Sequence, residues 1–389
     1  MSRQSFPHIR VQGPPFERGR QYGRQVASRI RRNLEIYREL FAHYAGWGWA
    51  QVKTHAQTFE PAIAAYRSHF LDEMRGIAEG AGVLYEDILA LNVRTEIRNF
   101  AIAKRVPGEC SSFVILPAAV ENNHMLIGQN WDWVVPVSET VIVLEVDADD
   151  APNFVTVVEA GLLAKMGMNT AGLGMTTNAL HSDLESDVLT GIPYHVVLRA
   201  ILESRTFSDA ISAINSHVRA SSANYTVAHR DGEAFNAETA PGDFSRAYFS
   251  FPEGNVYAHT NHYLCRDMDF KDVGVWHSPG SLVRHRRLRR FLETHPAGFT
   301  VDELQQALAD HFNFPNSVCC HPDSRDPEQE QFKTVASVIM DLNATKMWLA
   351  AGNPCEVEYI EIGYKDLLSV DHEKDRKPVP GRPEDGSLT

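Results

Sequence analysis

Val106-Pro107-Gly108-Glu109-Cys110-Ser111-Ser112-Phe113-Val114-Ile115-Leu116 is where the chain changes character. Pro107-Gly108 reads as a turn, and Ser112 to Leu116 as a strand. The turn puts Cys110 at the mouth of that strand. Upstream the pattern is helical. Phe16 to Tyr44 carries Tyr22, Val26, Ile30 and Leu34 on one face with arginines opposite. Further helices are expected from about Gln51 to Glu79, stopped by Gly80 and Gly82, and from Glu86 to Ile97. Downstream the period becomes that of strands. Met125 to Gly128, Thr140 to Val146, Asn153 to Glu159 and Gly172 to Asn178 are short β-rich runs.

Two helices follow, Tyr194 to Glu203 and Ser208 to His217. Tyr225 to His229 and Glu233 to Glu238 flank Asp231-Gly232, a hairpin signal. Val256 to His259 is a strand, Ser281 to Glu293 and Val301 to His311 are helices, and Thr334 to Leu342 and Lys346 to Ala351 are the last strands. A frayed tail is expected from about Asp371. Regular βαβ alternation is missing, which argues against a parallel doubly wound sheet and for antiparallel sheets covered by helices.

Bulk properties narrow the function. With 389 residues, 43% hydrophobic and 22% charged, the chain has the balance of a globular protein whose core needs no disulfide staples. Its formal net charge of -13 disfavours a phosphate backbone as partner, so no nucleic-acid binding is expected. No apolar run suits a bilayer span and the first residues lack a signal-peptide pattern, so the expectation is a cytoplasmic protein without membrane contact. Oligomeric state stays open. Five cysteines, an odd number in a long chain, do not suggest a disulfide framework.

Four stretches carry candidate chemistry. Cys110 is one, although a lone cysteine is more often a small buried hydrophobe. In Gly128-Gln129-Asn130-Trp131-Asp132-Trp133 a carboxylate stands between two tryptophans. It is either part of a packed surface loop or a group that orients an amine. His259-Thr260-Asn261-His262 offers two histidines three apart, and an asparagine able to donate to an oxyanion. Ser317-Val318-Cys319-Cys320-His321 invites a zinc reading, which is set aside because zinc sites use spaced pairs and no second pair is visible. No metal and no cofactor are expected.

Together these stretches resemble the isopenicillin N acyltransferase family of N-terminal-nucleophile hydrolases. The resemblance rests on Cys110-Ser111-Ser112, Gly128-Gln129-Asn130-Trp131-Asp132, Glu159-Ala160-Gly161, Gly167 to Gly172, Asn178-Ala179-Leu180, His259-Thr260-Asn261-His262 and Phe314-Pro315-Asn316-Ser317, in that order. It implies an α+β fold, an αββα four-layer sandwich with antiparallel sheets. It implies autocatalytic cleavage between Glu109 and Cys110, giving a helical segment 1–109 and a catalytic core 110–389 that form one globular unit. It makes Cys110 nucleophile and base, Asp132 the holder of the new ammonium, and Asn178 and Asn261 the oxyanion donors. A free α-amine titrates near ~8 and a thiol near ~8.5, so the cysteine's own amine can take its proton. The partner implied is a small amide or acyl substrate, attacked through an acyl-thioester.

At Cys320 the family pattern has an arginine. A pocket less cationic than in relatives that keep the arginine, with a preference for neutral amides, is therefore expected, with Arg325 the nearby cation able to replace it. Two rivals differ in class: a zinc-dependent hydrolase using His259, His262 and Cys320, and a non-catalytic binding protein of the same fold.

Overall fold

The computed structural model describes residues 4–101, 109–185, 190–295 and 298–369. Pro107-Gly108 and the tail from Asp371 lie outside them. The helices before the cysteine are α1 (Pro15–Gln25), α2 (Ala27–Ala45), α3 (Trp49–Gln57), α4 (Glu60–Arg67), α5 (His69–Ala81), α6 (Tyr85–Asn92) and α7 (Arg94–Ala101). They are more numerous than the periodicity suggests. Val26 leaves helical geometry at φ -126° between α1 and α2, and Pro61 opens α4, where its missing N–H costs nothing.

Gly80 does not stop a helix. It lies inside α5, and a Cβ there would sit 2.2 Å from the Arg20 carbonyl oxygen. Gly19, Gly23 and Gly76 meet the facing backbone equally closely, so α1 and α5 touch along a side-chain-free seam. Gly82, left-handed at φ +66°, ends α5.

The strands are β1 (His8–Gly13), β2 (Glu109–Ile115), β3 (Leu126–Val134), β4 (Val141–Ala148), β5 (Phe154–Glu159), β6 (Met166–Asn169), β7 (Leu173–Ala179), β8 (Ala223–His229), β9 (Glu233–Thr239), β10 (Ala247–Ser250), β11 (Val256–His259), β12 (Phe332–Asp341), β13 (Lys346–Ala350) and β14 (Ile360–Gly363). The remaining helices are α8 (Tyr194–Leu202), α9 (Phe207–Asn215), α10 (Gly274–His277), α11 (Gly280–Thr294), α12 (Val301–Leu308) and α13 (Lys365–Leu368). One sheet runs β1-β4-β5-β6-β7-β8-β9-β10, the other β11-β2-β3-β12-β13-β14. All pairings are antiparallel except β1 with β4.

Three apolar layers separate four structural ones. Val26, Ile30, Phe70, Ile88 and Ile201 pack the early helices, α8 and α9 on the first sheet, against Leu144 and Phe154. Val143, Val155 and Met168 of that sheet meet Val114, Ile127 and Met340 of the second. Phe113, Ile115 and Ile339, on the second sheet's far face, receive Leu288, Leu292 and Leu304 from α11 and α12. This is the αββα sandwich expected from the sequence. The segment before residue 110 is not all helical, however, since β1 forms an edge of the first sheet.

Candidate active site

Cys110 is the second residue of β2, paired with Trp131 across β3, while Glu109 faces Asp132. Strand alternation sends Cys110 and Ser112 toward the first sheet. There the Ser112 hydroxyl donates to Asn178 Oδ1 at 2.8 Å, and Gln129 Nε2 donates to the Thr177 carbonyl at 2.8 Å. Ser111, Asn130 and Asp132 take the opposite face. Asn130 Nδ2 donates to the carbonyls of Leu308 and Val318, and Asp132 Oδ1 accepts from the Thr334 hydroxyl at 2.6 Å.

The backbone of Cys110 is held at both ends. Its N–H donates to Asn261 Oδ1 at 2.7 Å, and its carbonyl accepts from Arg284 Nη1 at 2.7 Å. Arg284 Nη2 also donates to Asn261 Oδ1, at 3.1 Å, and Asn261 Nδ2 donates to the Ala179 carbonyl at 3.0 Å. Two donors on one side and an acceptor on the other fix which way this amide points.

Arg94, Arg98, Trp131, Trp133, Lys165 and Tyr194 line a pocket with Cys110. Burial pushes the Cys110 thiol up to about 11, and the Asp132 charge adds to this; Lys165, Arg284 and the Asp132 backbone N–H pull the other way. Lys165 is brought down to about 8, first by burial and then by Arg94 and Arg98, with Cys110 opposing. Its ammonium lies 4.4 Å from the centre of the Trp131 ring. Arg98 is lowered to about 10 by burial and by Arg94. Its guanidinium stacks 5.2 Å from Trp133 and donates to Asn99 Oδ1. Arg94 is paired with Glu159, which Tyr37 also contacts at 2.8 Å.

A family model described as acyl-coenzyme A:6-aminopenicillanic acid acyl-transferase matches residues 119–356, more than half of the chain. The chain belongs to this acyl-transferase family. The matched span includes Asp132, Asn178 and Asn261 and begins after Cys110. Among individual relatives, the chain is 26% identical over 350 residues to the acyl-coenzyme A:6-aminopenicillanic-acid-acyltransferase 40 kDa form of Emericella nidulans, covering 89% of this chain and 93% of that one. It is 24% identical over 386 residues to a β-alanyl-dopamine/carcinine hydrolase of Drosophila melanogaster, covering 92% and 95%. A conjugated bile acid hydrolase from Clostridium perfringens is a structural neighbour with TM-score 0.41 and 12% identity, over 67% of this chain and 99% of that one.

In this member of the acyl-transferase family the expected site residues do not all meet the cysteine in the same way. Asn261 meets the Cys110 backbone directly, through its carbonyl oxygen. Asn178 lies one step along, its Oδ1 taken by Ser112 and Asn224 and its Nδ2 3.5 Å from the His259 carbonyl. Asp132 is fully buried beside Thr334 on the opposite face of β3.

Even without an arginine at position 320, the pocket holds three cationic side chains, Arg94, Arg98 and Lys165. Arg94 and Arg98 come from α7 and Lys165 from the turn before β6, so the residue at position 320 does not decide the pocket's charge. Arg325 is no substitute, since its side chain is 78% exposed and grips Asp323 at 2.6 Å.

Sequence reasoning missed Lys165, Arg98 and Arg284. Lys165 had a local signal, being the lone charge between Ala160 and Met168. Arg284 had none, because α11 holds five arginines in seven positions, Arg284 to Arg290.

The zinc-hydrolase ligand set does not converge. His259 Nε2 faces Glu238 at 2.8 Å, His262 Nδ1 faces the Ser281 hydroxyl at 2.8 Å, and Cys320 Sγ faces the carbonyls of His321 and Phe332. Among the described residues, the donor atoms that do converge belong to His311, Cys319, His321 and Cys355.

Proposed function

We propose that the chain is a self-processing cysteine amidase or acyltransferase, cut between Glu109 and Cys110, with Cys110 as nucleophile. The observation that carries this reading is the grip on the Cys110 peptide, Asn261 on its N–H and Arg284 on its carbonyl, with the thiol in a pocket shared with Lys165.

In the uncut chain the Cys110 nitrogen is an amide and cannot serve as base. Lys165, brought near neutrality, takes the thiol proton, and the sulfur attacks the Glu109 carbonyl. Nitrogen leaves with a proton, and water then hydrolyses the thioester. Glu109 keeps a carboxylate and Cys110 a free amine. From then on the amine serves as the base for turnover.

Asn261 Oδ1, which accepts from the amide N–H, continues to accept from the new ammonium, and Asp132 supplies the countercharge. One Nδ2 hydrogen of Asn261 is committed to Ala179. The other, with Asn178 Nδ2, donates to the tetrahedral oxyanion. Segment 1–109 stays bound to the core 110–389 after cleavage.

The substrate is a linear amide. Attack of Cys110 gives an acyl-thioester, which passes to water or to an amine. One relative is named as a hydrolase and one as an acyltransferase, so the acceptor separates the two outcomes. Arg98, cationic and stacked on Trp133, favours a substrate with a carboxylate near the scissile bond. This reverses the preference expected from Cys320.

Intact mass and N-terminal sequencing of the purified chain test the reading. Two chains are expected, the larger beginning Cys-Ser-Ser, with Cys110→Ala remaining whole. A cut elsewhere, or none in wild type, contradicts it.

A further inference from the structure

The loop after α12 and the loop after β13 bring four soft ligands to one point. Cys319 Sγ lies 3.5 Å from Cys355 Sγ and 3.5 Å from His321 Nε2. Cys355 Sγ is 3.4 Å from the same His321 nitrogen, and His311 Nε2 is 3.2 Å from it. All four donor atoms lie within 4.8 Å of one another. A tetrahedral zinc with Zn–S of ~2.3 Å and Zn–N of ~2.0–2.1 Å has edges of ~3.3–3.8 Å. The four measured separations lie on or just below that range.

We infer that His311, Cys319, His321 and Cys355 form a structural zinc site. Two thiolates and two imidazoles favour zinc among the common divalent ions, and four protein ligands leave no open position for a reacting water.

The surroundings are those of a ligand set. Glu356 approaches the far nitrogen of His321, 3.7 Å from Nδ1, so Nε2 is the nitrogen turned to the cluster. Asn353 Nδ2 donates to Cys319 Sγ at 3.5 Å and to the Cys320 carbonyl at 2.6 Å. Backbone bonds hold the loop in shape, from Cys319 N to the Asp310 carbonyl and from His321 N to the Pro315 carbonyl.

A Cys319–Cys355 disulfide is the competing outcome. It needs the sulfurs to close to about 2.05 Å, and it gives no reason for two imidazole nitrogens to face them.

The site also reaches the second sheet. Cys320 N donates to the Thr334 hydroxyl, which donates to Asp132, and the Val318 carbonyl accepts from Asn130. A metal would fix this loop against β3 and β12, and so fix the setting of Asp132. Metal binding itself does not depend on Cys110 being the nucleophile.

The test uses tag-free full-length chain purified without chelator. Elemental analysis is expected to find one zinc per chain in wild type, Cys110→Ala and Cys265→Ser, and none in Cys355→Ser or His311→Ala. Should those two variants fail to fold, wild type still decides. Stepwise mercurial titration should release one zinc as two thiols react, and the cobalt-loaded chain should show the visible bands of a tetrahedral cobalt thiolate, removed by added zinc. A folded wild-type chain that holds no zinc after equimolar loading overturns the inference. So does a Cys319–Cys355 disulfide in the non-reduced peptide map.

Discussion

Glu73 and Glu203 meet Arg18, Arg67, Arg199 and His69 where the early helices pack on α8, whereas Lys165 and Arg98 stand beside Cys110 against aromatic rings. Both groups are buried, but only in the first does every cation reach a carboxylate. Arg18 reaches Glu73 at 2.6 Å and Arg199 reaches it at 2.7 Å, while Glu203 takes Arg199 at 2.9 Å, His69 at 3.0 Å and Arg67 at 3.2 Å. Burial alone would raise the Glu73 carboxyl, and Arg18 and Arg199 outweigh it, so Glu73 is held below its usual value. Around Cys110 burial wins, and Lys165 and Arg98 are pushed down. Matched buried charges fix a structure. Unmatched ones sit close to neutrality or retain an unspent charge, which is what proton transfer and anion binding need. The first group also straddles the Glu109-Cys110 junction, with Arg18 and Glu73 before it and Arg199 and Glu203 after it. With the apolar layer under the early helices and the pairing of β1 with β4, it joins the two segments across that junction.

Removing one partner from each group separates the two roles. Glu73→Gln takes a buried carboxylate from Arg18 and Arg199, leaving them Glu203 and Asp150, and should cost about 3–5 kcal/mol of stability in denaturant unfolding, with processing by the folded fraction intact. A stable variant would mean that the network is dispensable.

Lys165→Met should do the opposite. Stability should hold or rise, while processing slows about a hundredfold or more, the range of a lost general base. In wild type the Lys165 amine is free only above its lowered value, so processing should quicken as pH rises through about 8 and then level off. The variant should lose that step. Between about 8 and the ordinary lysine range the unfolded chain holds a proton that the folded chain has lost, so this group's contribution makes stability rise with pH there. An unchanged processing profile in the variant would remove Lys165 from the chemistry.

Arg98→Gln should raise KM for an N-acyl amino acid about tenfold, in line with one charged hydrogen bond of about 1.5–3 kcal/mol, and leave its amide analogue alone. Equal effects on both would assign Arg98 to packing on Trp133. Arg325→Ala, on the surface with Asp323, should leave processing and turnover unchanged.

The sequence made the scaffold legible where structure is local. The switch at Pro107 to Cys110, the turn at Asp231-Gly232 and the apolar faces of α1 and α2 all act within a few residues. β1 was not legible, because its hydrogen bonds go to Val141–Ala148, more than a hundred residues away. Short β6, β10 and β14 are strands because of the neighbours they complete. Gly80 read as a stop because helix packing cannot be seen along one chain.

The site divides in the same way. Cys110, Asp132, Asn178 and Asn261 came from motifs, while Lys165, Arg98 and Arg284 became visible only when the layers closed over them. Cys355 is similar, since its partner Cys319 is far along the sequence.

The central claim is that Cys110 acts as a free N-terminal nucleophile in this cationic pocket. Limiting iodoacetamide, followed by peptide mapping and a parallel activity assay, tests it most directly. The account predicts that activity falls in proportion to one label, carried by a peptide whose first residue is Cys110. Activity lost through a label on Cys265, Cys319, Cys320 or Cys355, or on a peptide in which Glu109 is still joined to Cys110, would contradict it.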